Sequence, residues 1–224
     1  MGYRKTVFAV GEIYHLASRT IAGEPLFVNS YDYLRFLKAL GYYHYQNVPL
    51  RFSYLKSLAL TDQKRIIKSL KKQNQCLLEV IAFCLMPNHF HILGKQLVKN
   101  GISIFMSKLK NSYAKYFNTK HSRQGSLFQS MFKAVRIETD EQLIHVSRYI
   151  HLNPFTAYLC SKESLLKYSW SSLSHYLGLK FFDFLKPSAV LSLFKNKKSY
   201  KEFVFDQADY QRDLAHIKHL ILEK

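Results

Sequence analysis

The sequence predicts an α+β fold: a ferredoxin-like antiparallel sheet with helices packed on one face, plus a helical C-terminal extension. Three observations point there. Strand-like and helix-like hydrophobic patterns follow the order βαα, ββ, α, β, α, which suits one sheet covered by helices. At 224 residues and 48% hydrophobic, the chain has enough apolar surface for a core and too much for a disordered protein. No apolar run approaches the ~20 residues of a membrane span, so no membrane partner is expected.

Each element has a local reason. TVFAVGEIYHLA, residues 6–17, is rich in β-branched and aromatic residues and reads as the first strand. Asn29-Ser30 offers a cap for a helix over 31–43, where Tyr33, Phe36, Leu37 and Leu40 share one face. A second helix, capped by Thr61 with Asp62 in its first turn, runs through DQKRIIKSLKKQ. CLLEVIAFCL, residues 76–85, is almost continuously apolar, as in a strand buried on both faces. Met86-Pro87-Asn88 then turns the chain into a partner strand that begins at His89. Ile102, Phe105, Leu109 and Tyr116 are spaced for a helix over 101–118, with Lys108 and Lys115 off that face. Gly125 precedes another strand, SLFQSMFKAVRI. The next helix starts near Thr139, carries Asp140 and Glu141 in its first turn, and is expected to stop near Asn153 because Pro154 follows. From about Lys180 on, FKNKKSYKEF and YQRDLAHIKHLI read as helical and basic. The expected division is therefore a main domain of residues 1–178 and an extension of residues 179–224.

Charge narrows the partners. Thirty-three Lys and Arg against 15 Asp and Glu give +18, a surface that attracts polyanions. Between Glu79 and Glu138 there is no acid, where the chain average gives about four. Lys95, Lys99, Lys108, Lys110, Lys115, Lys120, Arg123, Lys133 and Arg136 fall in that stretch. It reads either as a solvated basic face or as a nucleic-acid groove, for which 16 Tyr and 17 Phe across the chain offer stacking partners. Cys76, Cys84 and Cys160 are odd in number and lack paired spacing, which fits a reducing cytoplasm. The opening MGYRKTVFAVGEIYH contains charge and breaks at Gly11-Glu12, so it does not read as a signal peptide.

The motif with chemistry in it is MPNHFHIL, residues 86–93. On a strand His89 and His91 project from one face and Phe90 from the other. Two imidazoles side by side are either ordinary half-buried histidines or half of a metal site. The acid-free stretch offers no local carboxylate to complete it. Further on, His145, Tyr149 and Asn153 form a row at i, i+4 and i+8, flanking the core stripe Leu143, Val146, Ser147 and Ile150. The Asn153 amide oxygen is a possible ligand, and the Tyr149 phenol is either packing or a nucleophile toward phosphorus.

MPNHFHIL followed by RYIHLNP resembles the HUH single-tyrosine transposase superfamily, in particular REP-associated tyrosine transposases and their insertion-sequence relatives. YHLASRTIAGEPLFVNSYDYLRFL, SYAKYFNTKHSRQGSLFQSMFKAVRI and YSWSSLSHY add matches in the family's order, so the likeness covers roughly residues 6–178. It implies that His89 and His91 bind a divalent ion, Mg or Mn, with Asn153 completing the site, and that Tyr149 is the nucleophile. Tyr113 and Tyr116 are the runner-up nucleophiles, expected to be stacking or packing residues, and His145 has no family role. The opening loop reads Ser18-Arg19-Thr20 where the family usually has Asn-Arg-Gly, which leaves Arg19 as a DNA contact of altered detail.

The implied reaction cuts and rejoins single-stranded or hairpin DNA through a 5′-phosphotyrosine, in the manner of a transposase. The implied substrate carries palindromic repeats, and the basic residues Lys108, Lys110, Lys115, Lys120, Arg123, Lys133 and Arg136 hold its backbone. Relatives act as monomers or homodimers, and the expected setting is the nucleoid in the cytoplasm. The alternatives are a domesticated nucleic-acid-binding protein of the same fold and a zinc hydrolase for small substrates.

Overall fold

A computed structural model describes residues 7–211 of the chain. Thr6, which opens the expected first strand, and the residues of YQRDLAHIKHLI from Arg212 on lie outside the described residues. Four antiparallel strands form one sheet in the order β2-β3-β1-β4: β1 (Ile13–Arg19), β2 (Leu78–Met86), β3 (His89–Gln96) and β4 (Lys133–Ile137). Helices α1 (Ser30–Tyr43), α2 (Phe52–Ser57) and α3 (Leu60–Gln73) fill the connection from β1 to β2. α4 (Gly101–Lys120) joins β3 to β4, and α5 (Asp140–Thr156) follows the sheet. Short α6 (Leu173–Tyr176), α7 (Ser188–Leu191) and α8 (Lys197–Asp206) complete the chain. This is the ferredoxin-like βαββαβ order, with α5 added.

Strand alternation assigns the faces. Phe90 meets Phe36 of α1, and Tyr113 of α4 packs on the same Phe36, so α1 and α4 cover the Phe90 face. Phe36, Phe83, Phe90 and Phe105 are fully buried there, roughly 1.5–3 kcal/mol of transfer free energy each. His89 and His91 point the other way, beside their register partners Arg19 and Ala17. α5 lies on this second face, with Tyr149 edge-on to His91. Both crossover helices thus pack on one face as expected, and α5 occupies the opposite one. Its stripe of Leu143, Ser147 and Ile150 is buried, and the first face is already filled by α1 and α4.

Four local expectations are corrected. β1 begins at Ile13 and extends to Arg19, because Gly11 takes a left-handed φ of 86° and breaks the extended run before it. α3 starts at Leu60 rather than after a Thr61 cap. Gln63 draws the start back, its N–H donating to Ala59 O (3.0 Å) and its Nε2 to Leu58 O (2.8 Å). SLFQSMFKAVRI is a strand only from Lys133, with an isolated bridge between Phe128 and Thr20. Phe132 stacks on Phe8, and the chain leaves the ladder between the two paired parts. Finally, α5 runs through Pro154 to Thr156. Proline removes one N–H, but Ala157 N donates to Asn153 O (2.9 Å) and Leu159 N to Pro154 O (2.9 Å), so one more turn closes. Thr139 does cap α5, accepting from Gln142 N at 3.1 Å.

The outer edge of β2 is covered. Leu85 N donates to Trp170 O (2.9 Å) and Ser172 N to Phe83 O (3.0 Å), which stitches the Trp-Ser-Ser segment along the strand. Residues beyond 178 also pack on the core: Lys186 N donates to Val80 O, and buried Tyr200 of α8 shares hydrogen bonds with Ser147 and His151 of α5. Among the described residues no helix is long and apolar enough to cross a membrane.

Candidate active site

Pro87-Asn88 is a two-residue connection between Met86 and His89, which are a register pair. The loop after Arg19 is fastened to it. Leu26 N and Phe27 N both donate to Pro87 O (2.6 and 3.1 Å), Thr20 N donates to Asn88 O (3.0 Å), and Asn88 Nδ2 donates to Gly23 O (3.4 Å). This places Arg19, His89 and His91 on one face of neighbouring strands. α5 then brings Tyr149 over them, with ring centroids 5.5 Å from His91 and 5.9 Å from His15. The result is a cavity of about 330 Å³ lined by His15, Arg19, His89, His91, Gln129, Met131, Lys133 and Tyr149, among others.

Hydrogen bonds orient the imidazoles. His89 Nδ1 lies 2.6 Å from Asn88 Oδ1, and His91 Nδ1 shares a hydrogen bond of 2.9 Å with His15 Nε2. The His89 and His91 rings are 5.0 Å apart. His91 Nε2 is buried and has no hydrogen-bond partner. Burial lowers the pKa of His15 to about 4, and burial with the nearby Arg19 charge lowers that of His89 to about 4. Burial, then His15, His89 and Arg19, push His91 further down, so all three rings are neutral at pH 7. Burial raises the Tyr149 phenol above its usual value, while the Asn153 amide and the Arg19 guanidinium pull it back. Tyr149 is 44% exposed and reachable from solvent.

The residues expected from the sequence separate into groups. His89, His91, Tyr149, Arg19 and Lys133 meet at the cavity. Asn153 does not line it: the side chain is buried one turn along α5, where Nδ2 donates to Tyr149 O (2.8 Å). His145 turns away to Arg148 and Phe203. Lys108, Lys115 and Lys120 line a groove of about 880 Å³ between α1, α2 and α4, on the sheet's other face. Lys120 is paired with buried Asp32 (2.7 Å), Arg123 with Glu24 (2.9 Å) and Arg136 with Glu12 (3.1 Å). Lys110 Nζ donates to Gln129 O at 3.2 Å. Tyr113 donates to Leu26 O and Tyr116 to Asp32, both on the α1–α4 side. Sequence reasoning missed His15 and Gln129. The signal for His15 was present, since IYHLASR alternates and sets His15, Ala17 and Arg19 on one face.

Among the described residues no group of three or more His, Cys, Asp or Glu is placed to hold a metal ion. The donors at the cavity are the two imidazoles of the His-x-His pair, with His15 behind one of them.

No curated protein sequence matches the chain. Among solved structures it is similar to a REP-associated tyrosine transposase bound to a REP hairpin, with a TM-score of 0.55 at 12% identity, covering 83% of this chain and 98% of that one. The likeness supports the α+β fold. The family model described as IS200-like transposase matches residues 39–153, just over half of the chain. That stretch runs from α1 through the histidine hairpin and ends on Asn153 of α5. With its fold and its histidine hairpin both accounted for, the chain belongs to the IS200-like transposase family, within the HUH single-tyrosine superfamily that its motifs resemble.

Proposed function

We propose that this protein cleaves and rejoins single-stranded or hairpin DNA, with Tyr149 as nucleophile and His89 and His91 as ligands of a divalent ion. The observation that carries the reading is the convergence of one phenol, two neutral imidazoles and the Arg19 guanidinium on a single cavity. The family and the hairpin-bound neighbour support DNA as the substrate.

The donor set fits such an ion. His91 Nε2 is a buried nitrogen with no partner, and neutral imidazoles suit Mn while DNA oxygens suit Mg or Mn. His89 and His91 would hold it, and Asn153, buried outside the cavity, would join them only if its side chain left the Tyr149 carbonyl. When bound, a divalent ion would polarise the scissile phosphate and offset its developing charge.

The chain's own residues do the rest. The Tyr149 oxygen attacks phosphorus and forms a P–O bond to the protein, while the bond from phosphorus to the 3′ oxygen breaks. The phenol gives up its proton and the departing 3′ oxygen gains one, so a 3′-hydroxyl is released and the 5′ end stays on Tyr149. Attack by a 3′-hydroxyl reverses the step and rejoins strands without a nucleotide triphosphate. Arg19 faces both the phenol and His89, where its charge favours the phenolate and the phosphate. Lys133 on the cavity wall adds a second contact for the DNA backbone.

Incubating the protein with labelled hairpin DNA and Mn²⁺, then running a denaturing gel, tests this. Wild type should form a covalent adduct. Tyr149→Phe should reduce it below ~1% while leaving DNA affinity within about threefold. An adduct that survives Tyr149→Phe and vanishes in Tyr116→Phe would sink the assignment. Tight binding by wild type with no adduct would favour a domesticated binding protein instead.

A further inference from the structure

His15 lies outside the residues that match the family model, yet among the described residues it is the hydrogen-bond partner of the His91 ring, at Nδ1. We propose that His15 is a positioning residue that fixes the ring tautomer of His91, so that the His91 Nε2 lone pair is presented to the cavity as a divalent-cation ligand. This deepens the proposed reading of the site and rests on it.

Two ring nitrogens facing each other at 2.9 Å, His15 Nε2 and His91 Nδ1, share a single hydrogen between them. If His15 carries it, His91 must keep its own proton on Nε2. That would be a buried N–H with no acceptor, an unfavourable arrangement that no cation can relieve. If His91 carries it, Nδ1–H donates to His15 and Nε2 is a bare lone pair. A cation entering the cavity satisfies that lone pair and removes the orphan.

The neighbouring ring follows the same logic independently. His89 Nδ1 sits 2.6 Å from Asn88 Oδ1, an atom that can only accept, so His89 carries its proton on Nδ1 and turns Nε2 outward. Both rings of the His-x-His pair are therefore tethered through Nδ1, one by an amide oxygen and the other by an imidazole nitrogen. Outer partners of this kind hold the ring plane as well as the tautomer. His15 is suited to the task by register. It pairs with Leu93 on β1, one step diagonal from the Ala17–His91 pair, and its ring stacks on His91 with centroids 5.1 Å apart.

Calorimetric titration of the metal-free protein with Mn²⁺, together with ¹⁵N NMR of its imidazoles, tests the proposal. His15→Leu should weaken Mn²⁺ binding roughly 10–100-fold. His15→Gln places an amide oxygen where Nε2 was and should restore affinity to within about threefold of wild type. The two-bond ¹⁵N correlations of wild type should show the His91 proton on Nδ1. Unchanged affinity in His15→Leu, no rescue by Gln, or a proton on His91 Nε2 would each overturn the positioning role while leaving the metal site standing. A wild type that takes up no Mn²⁺ would overturn the site reading and this inference together. If His15→Leu fails to fold, the Gln variant and the wild-type spectrum still decide.

Discussion

Lys120 and Lys133 show how position decides what a cation can do. Both come from the acid-free stretch, and both look available in the sequence. Lys120 is held by the buried Asp32 carboxylate. Burial would raise the Asp32 pKa, but hydrogen bonds from Lys120, Val28 and Tyr116 outweigh it and hold it below the usual value. Glu24 and Glu12 similarly engage Arg123 and Arg136. These three acids all come from the first 32 residues, so the neutralisation is long-range and invisible to any local charge count. Lys133 is exposed on the cavity wall, and among the described residues no carboxylate pairs with it. Lys133→Ala should accordingly lower the slope of log affinity against log salt for single-stranded DNA by about 0.7, whereas Arg136→Ala should change it by less. Fluorescence anisotropy over a salt series checks both, and equal slopes for the two variants would contradict the distinction.

At the level of elements, α4 was predictable from Ile102, Phe105 and Leu109, all fully buried, but the reason for its first residue was not. A methyl group on Gly101 would run into the Leu77 carbonyl, which belongs to the chain entering β2. Backbone cannot swing aside as a flexible side chain can, so Gly101→Ala should destabilise the fold by about 1–3 kcal/mol, read from urea denaturation. A midpoint unchanged from wild type would show that the close approach is not tight. The same limit explains what the sequence did and did not reveal about the site. Alternation in IYHLASR and HFHIL assigned each strand its faces, and the helical row placed Tyr149 beside the core stripe. Which His met which depended on the β1–β3 register, and no local pattern in either strand encodes that pairing. Proline at 154 misled the boundary of α5 because a single missing N–H near a helix end is a small loss once Phe155 is buried.

Across the whole molecule, buried histidines make stability depend on pH. His44 and His151 lie away from the cavity and are 5% and 0% exposed. Burial lowers His44 to about 4 and His151 to about 3, against roughly 6.5 for an unfolded chain. Below pH 6.5 the unfolded chain takes up protons that the folded one refuses, so stability falls as pH drops through that window. Each ring contributes a slope of about 1.4 kcal/mol per pH unit where only the unfolded form is protonated. The melting temperature should be level above about pH 7 and decline steeply between about 6.5 and 4. Thermal melts across a buffer series check this, and a level profile down to pH 4.5 would contradict it.

The stitching of the Arg19 loop to the Pro87-Asn88 turn has a mechanical consequence. Those two stretches come from opposite ends of the β1-to-β3 segment, yet backbone bonds make them one rigid jaw. Arg19, His89 and His91 then keep a fixed spacing whatever strand approaches. On the proposed reading, a DNA strand gripped by the loop would be set against the imidazoles in the same movement, and the adjustment bringing Tyr149 to phosphorus would fall to the opposing jaw, α5.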